Sequence, residues 1–364
     1  MPAIKDILSV DFLENPYKVP EKLNKSKLKI GWIIPTVGPG GGGHLNIARF
    51  ARYLQSRGHK TLFSIYDTDK SKQKPEAAEK ILEEYYDLEV EVVRNDKLAD
   101  CDVIFATSWE TAYGLYGLES KAHKFYFVQD FEPYFFEIGS RYKLAEATYQ
   151  FGFYGITAGK WLSKKVQQYN MSADYYNFGV NLDQYKAKKI IAKKKQILFY
   201  ARPHTARRGY EIGILALSLF KKEHSEYEII MVGQDLLDYA IPFEYVGLGS
   251  LPVKDLPRLY QESVACLVLS LTNVSLLPLE LLASGCVPVM NSGENNMVEL
   301  EGVEGIVYAE ILPHSLAGKL SEVVERANLE EYAFQIANKI DNRSWNESLK
   351  KVEEIILREV TTID

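Results

Sequence analysis

Short apolar runs of strand length alternate with amphipathic runs of helical length along the chain. After residue 180 a lysine-rich stretch intervenes, and the alternation then starts again. The first half reads as strands at 29–35, 61–66, 90–93, 102–108, 124–129 and 153–157, separated by helices at 44–57, 75–86, 110–117, 137–150 and 159–169. The second half reads as strands at 196–201, 227–232, 243–246, 264–270 and 286–291, with helices at 209–222, 253–262, 275–284 and 314–327. Strands separated by helices pair in parallel, with the helices covering both faces of the sheet. Over 364 residues this predicts an α/β chain of two nucleotide-fold domains. Such sheets bind ligands at their strand carboxyl ends, so the cleft between two facing sheets is the expected site.

The most unusual strand end is "KIGWIIPTVGPGGGGHLNIARFARYL", residues 29–54. Gly38, Gly40 and Gly43 spell the GxGxxG outline of a dinucleotide turn, and Asp67 ends the next strand. A proline inside the motif and surplus glycines lengthen the loop beyond what a tight turn needs. Lacking Cβ atoms, Gly41, Gly42 and Gly43 let a ligand reach the main chain, and the following helix offers free N–H groups and a positive dipole end. His44 comes next, placed to touch a phosphate or to cap the helix.

Three further segments carry chemistry. In "ILFYARPHTARRGYEI", residues 197–212, a strand ends near Arg202 and Arg208–Gly209 opens a helix. Two guanidiniums around such a turn suit a diphosphate, with Arg207 a third candidate. In "LSLTNVSLLPLELLASGCVPVMNSGENN", residues 269–296, small polar residues including Asn273 precede Pro278 and Glu280. A carboxylate in the first turn is favoured by the helix dipole, and Glu280 can accept from the vicinal hydroxyls of a ribose. "FVQDFEP" brings Asp130 and Glu132 to a strand end, where Asp130 can contact sugar or acceptor hydroxyls or take a proton. The triplets "DTD" at 67–69 and "DCD" at 100–102 read as a turn and a strand lead-in, so no metal is assigned.

"ARPHTARRG", followed about seventy residues later by "LPLELLASGCVPV", resembles the retaining family-four glycosyltransferases of GT-B architecture. "NFGVNLDQYK" at 177–186 is similar to the segment those enzymes carry where the first domain passes into the second. The compressed "PLE" spacing and "FVQDFEPYFF" look like bacterial rhamnosyltransferases of S-layer and cell-surface glycans, the WsaF type. The resemblance implies a GT-B chain with an acceptor-binding domain at 1–180 and a nucleotide-sugar-binding domain at 181–340. It also implies a closing helix at 341–364 that packs back toward the first domain. The donor would be dTDP-L-rhamnose, with a UDP-sugar as second candidate, and the acceptor a growing or lipid-linked glycan. Arg202, Arg208 and Asp130 would be catalytic. Gly41, Gly42, Gly43, Arg202, Arg208, Glu280, Pro278 and Asn273 would bind donor, and His44 and Glu132 acceptor. One departure is Thr272, where the family usually has a further glutamate.

Net charge of −6 argues against a nucleic-acid binder. Cys101, Cys266 and Cys286 show no metal-ligand spacing and read as buried free thiols of a reducing compartment. No run approaches a membrane span and no secretory signal is evident, so the expected location is the cytoplasm, with the basic stretches at 22–29 and 186–195 as candidate peripheral contacts with the inner membrane face. No cofactor is expected besides the nucleotide sugar. An NAD(P)-dependent oxidoreductase accounts for the glycine turn alone, and a catalytically silent transferase-like partner is the third reading.

Overall fold

The computed structural model describes residues 1–68, 72–340 and 342–362. The chain divides into two compact units: Met1–Asn177 together with Asn346–Asp364, and Phe178–Trp345.

The first unit carries β1 (Lys29–Ile34), β2 (Lys60–Ile65), β3 (Glu91–Val92), β4 (Val103–Ala106), β5 (His123–Val128), β6 (Tyr154–Ala158) and β7 (Ala173–Tyr176), all parallel, in the order β3-β2-β1-β4-β5-β6-β7. Its helices are α1 (Ile4–Ser9), α2 (Gly42–Ser56), α3 (Pro75–Tyr86), α4 (Trp109–Tyr116), α5 (Ser140–Ala147) and α6 (Lys160–Gln167). The strands are almost continuously apolar because helices cover both faces. The large aromatic content serves packing here: Trp32 stacks at 4.3 Å on Phe105, with Phe63 and Phe127 beside it.

The second unit begins with α7 (Leu182–Tyr185) and carries β8 (Lys194–Tyr200), α8 (Tyr210–Glu223), β9 (Glu228–Val232), β10 (Val246–Gly249), α9 (Leu256–Glu262) and β11 (Ser263–Val268). It continues through α10 (Leu277–Ala283), β12 (Val287–Asn291), α11 (Glu294–Met297), β13 (Val307–Ala309), α12 (Pro313–Val324) and α13 (Leu329–Asn338). Its parallel sheet runs β10-β9-β8-β11-β12-β13. The chain leaves β8 toward β9 and β10, then returns to the other side of β8 as β11. The order reverses between β8 and β11, the place where sheets of this kind bind ligands at their carboxyl ends.

The closing helix α14 (Trp345–Val360) packs on the first unit from Asn346 onward. Glu353 anchors it, buried and bonded to Tyr53 at 3.1 Å, Arg57 at 2.9 Å and His59 at 3.3 Å. Arg358 reaches Tyr154 and Asp174 on β6 and β7.

The lysine-rich stretch is tied into the second unit: Lys193 donates to the Gln261 and Gly285 carbonyls, both at 2.6 Å, and Lys194 and Lys195 begin β8 paired with Glu262 and Glu226. One strand expectation changes. The third strand of this unit lies at Val246–Gly249, not 243–246, because an edge strand that contains two glycines carries little alternation to fix its position. The three cysteines are free and buried.

Candidate functional site

In the second unit, β8 runs into the Arg202 turn, where the Thr205 N–H closes on the Arg202 carbonyl at 2.9 Å. A 3-10 turn, Ala206–Arg208, follows, and Gly209 at φ 57° passes the chain into α8. A side chain at 209 would be strained by that angle and would press on Leu269 at 3.1 Å. Arg208 is thereby aimed at the loop after β11, and its Nη1 donates to Ser270 Oγ at 2.6 Å. The Leu271 N–H donates to the Arg207 carbonyl at 3.0 Å, so the two loops at the reversal point are joined by main chain as well.

Ser270 is fully buried and centres a polar network. Its Oγ donates to the Asn273 carbonyl at 2.7 Å, and its N–H donates to Asn291 Oδ1 at 2.8 Å. Its carbonyl accepts from Asn291, Asn295 and Asn296 at 3.0, 3.0 and 3.2 Å. Such a network fixes the geometry around Arg208.

Arg202 is exposed and stands beside Gly233, whose absent Cβ would lie 3.5 Å from Arg202 Cγ. Glu280, half-buried in the first turn of α10, acts with Arg202 on one tyrosine. The Tyr200 hydroxyl, held up mainly by burial, also feels the Glu280 carboxylate raising it and the Arg202 guanidinium lowering it. Tyr200 and Tyr260 hydroxyls meet at 2.6 Å beneath them.

The structure thus gathers Arg202, Arg208 and Glu280 at one sheet edge. Asn273, Thr272 and Pro278 lie below that surface: both polar residues are 1% exposed, and Pro278 is buried at the start of α10. The position where a glutamate was missed holds a buried threonine whose carbonyl accepts from Asn295.

In the first unit the glycine loop joins β1 to α2, which starts at Gly42 with Gly41 as its uncapped flanking residue. Gly40 takes φ 77°, open to glycine at no steric cost. Tyr86, at the end of α3, holds both ends of the loop: its hydroxyl donates to the Gly38 carbonyl and accepts from the Gly41 N–H at 2.8 Å. Space for a Cβ is open around Gly38, Gly40 and Gly42, whereas one on Gly43 would meet Gln129 at 3.3 Å. Gln129 Nε2 donates to the Gly43 carbonyl at 3.2 Å, and Asn46 donates to Gln129 at 3.3 Å. The loop and the residue before Asp130 are therefore one assembly. Burial holds the His44 imidazole below its usual range against a hydrogen bond to the Pro35 carbonyl, leaving the ring neutral.

Asp130 is partly buried, and its Oδ1 accepts from the Phe131 N–H at 2.9 Å. Glu132 does not share its outward position. It is 7% exposed, and its Oε2 accepts from the Trp109 N–H at 2.5 Å, at the start of α4. Tyr126 adds a bond at 3.4 Å, while the Tyr149 hydroxyl accepts from the Glu132 N–H at 3.2 Å. Burial pushes the Glu132 carboxyl up to about 8, opposed by the Trp109 bond. Asp69 of the "DTD" triplet lies outside the described residues; Asp100 and Asp102 precede β4, and Asp102 accepts from the Lys29 N–H at 2.7 Å.

Comparison with known proteins bears on both units. Residues 195–321 match the family model described as WsaF, C-terminal domain. The O-antigen biosynthesis protein RfbC of Myxococcus xanthus is 30% identical over 335 residues, which is 88% of this chain and 26% of RfbC. The chain thus spans about a quarter of that relative. Among solved structures, Anabaena HepE in complex with UDP superposes with a TM-score of 0.70 at 17% identity, covering 91% of this chain and 100% of HepE. Sucrose-phosphate synthase of Thermosynechococcus elongatus gives 0.68 at 11% identity, covering 91% and 99%. The chain has the GT-B fold. In this GT-B chain the matched stretch 195–321 contains Arg202, Arg208, Ser270 and Glu280.

Sequence reasoning overlooked Ser270, Gly233, Asn291, Asn295 and Asn296 in one unit and Tyr86, Gln129 and Asn46 in the other. A usable signal existed for the first group. Gly233, Ser270 and Asn291 follow or end strands at the carboxyl edge of the sheet, and "NSGENN" carries Asn295 and Asn296 into α11 just beyond it.

Proposed function

We propose that the chain is a glycosyltransferase moving a sugar from a nucleoside diphosphate onto a hydroxyl of a growing cell-surface glycan. dTDP-L-rhamnose is the first candidate donor and a UDP-sugar the second. The observation that carries this reading is the pair Arg202 and Arg208 at the reversal point of the second sheet, the latter locked by Ser270 at 2.6 Å. The WsaF match, the O-antigen name of RfbC and the UDP bound to HepE agree with it, and the rhamnose choice rests on the WsaF resemblance.

Transfer breaks the bond between the anomeric carbon and the diphosphate oxygen, leaving an oxocarbenium-like sugar and a more negative leaving group. Arg202 and Arg208 meet that charge as it grows, and the network behind Arg208 prevents the guanidinium from relaxing away. Two guanidiniums, Arg208 held by Ser270 and Arg202 exposed beside it, take the place of a metal on the diphosphate. Glu280 accepts from the ribose hydroxyls. In the first unit the glycine loop offers main-chain N–H groups, while Asp130 and neutral His44 orient the acceptor hydroxyl or take its proton. Glu132 supports the Asp130 loop from within. The work takes place at the cytoplasmic side of the membrane that carries the glycan.

A panel of dTDP-, UDP- and GDP-sugars, with NAD as a separate arm, tests this reading. Release of a nucleoside diphosphate from at least one sugar donor, with dTDP-L-rhamnose the fastest, is the expected result. Stabilisation against heat by NAD alone, with no donor cleaved, would overturn it.

A further inference from the structure

The segment after Asp130 leaves an unusual amount of apolar surface in water. Tyr134 is 42%, Phe135 37% and Ile138 86% exposed, the first two ending the 3-10 helix Glu132–Phe135 and the third just before α5. Scattered apolar side chains on a surface mean little, but three so close together mark a contact face. Cations frame it. Lys165 lies 5.0 Å from the Phe131 ring and 5.6 Å from that of Tyr134, Arg141 lies 6.0 Å from the Phe136 ring, and Lys164 is exposed next to Lys165. Of the nearby carboxylates, Glu146 is held by Lys143 at 2.7 Å and Tyr169 at 2.8 Å, leaving Glu137 as the exposed acid of the turn. The face is cationic on a chain whose net charge is −6.

We propose that the face formed by Tyr134, Phe135 and Ile138 with Arg141, Lys164 and Lys165 docks on a bilayer surface bearing anionic lipid headgroups. Aromatic and branched side chains enter the boundary between headgroups and acyl chains while lysine and arginine stay with the phosphates. The basic stretches singled out from sequence are less suited. Lys22, Lys25 and Lys27 engage the Arg358 carbonyl, Asp102 and the Arg57 carbonyl, and Lys193 to Lys195 are engaged within the second unit, which leaves Lys188 and Lys189 exposed beside a single exposed apolar residue, Ile190. The docking face starts four residues after Asp130, so a bound membrane would bring lipid-linked acceptors beside the residues assigned to them. Docking itself is independent of the transferase reading; only its use rests on that reading.

Co-sedimentation with phosphatidylcholine vesicles, with and without phosphatidylglycerol, tests the docking. The full chain is expected to pellet with the anionic vesicles, to stay largely in solution with the neutral ones, and to be released by salt. The double change Phe135→Ser, Ile138→Glu is expected to weaken partitioning about tenfold or more while thermal stability and cleavage of a soluble donor are unchanged. Arg141→Glu, at an exposed position, weakens it through charge alone and serves if the double variant does not fold. Wild-type protein that ignores both vesicles, or variants that pellet as well as wild type, would overturn the proposal. Failure of donor cleavage alone strikes the transferase reading and leaves the docking intact.

Discussion

Replacing Arg202 or Arg208 by alanine is expected to lower sugar transfer by about 10²–10³-fold, the cost typical of removing one preorganised donor from a developing negative charge. The two losses differ in origin. Arg202 is exposed, so its removal leaves the fold as it is and acts on the diphosphate alone. Arg208 gives a hydrogen bond to buried Ser270, so its removal also costs about 1 kcal/mol of stability. Arg202→Lys is expected to recover only part of the activity, because a point charge cannot span two phosphate oxygens as a planar fork does. Steady-state kinetics with the preferred donor check this, the signature being a fall in kcat larger than any rise in KM. Near wild-type turnover in Arg202→Ala would remove the diphosphate clamp.

Glu132→Gln is expected to abolish the pH dependence that Glu132 gives the fold. The buried carboxyl titrates near 8 when folded, well above its ordinary value, so the folded chain holds this proton more tightly than the unfolded chain. The stabilisation is complete below the unfolded value and is lost as pH rises toward 8. A glutamine can still accept from the Trp109 N–H, and it carries no proton to lose. The variant is therefore expected to match wild type near pH 5 and to exceed it near pH 8.5 by roughly 3–5 kcal/mol, a difference of several degrees in thermal midpoint. His44, His59 and His123, lowered mainly by burial, act with the opposite sign, adding stability as pH rises through the usual histidine range. They are common to both proteins and cancel in the comparison. A difference that stays flat from pH 5 to 8.5 would mean that Glu132 ionises as it does in water.

The strand–helix rhythm made the architecture readable because buried parallel strands announce themselves as unbroken apolar runs, as "KFYFV" does in β5. Strands without that signature escaped. β7, "ADYY", is only half-buried along most of its length, and β13 has three residues. The helix after the glycines was expected at 44 and begins at Gly42, since glycine's low helix propensity conceals a start that tertiary contacts impose. Arg202, Arg208, Gly41 and Glu280 could each be placed at a strand or helix end from the sequence one residue at a time. Contacts between residues distant in sequence could not. Tyr86 closes the glycine loop from 45 residues away, and Ser270 meets Asn291 from 21. Glu132 shows the converse hazard. A carboxylate two residues from Asp130 looks like its partner, yet the chain turns between them and carries Glu132 inward to the start of α4.

The most direct test of the whole account is calorimetric titration of dTDP and UDP into the wild-type chain and into Arg202→Ala. Saturable binding of at least one nucleotide by the wild type, weakened about tenfold or more by the substitution, is the predicted result. Equal affinity in the two proteins, or no binding of either nucleotide by the wild type, would contradict the claim that the reversal point of the second sheet grips a diphosphate.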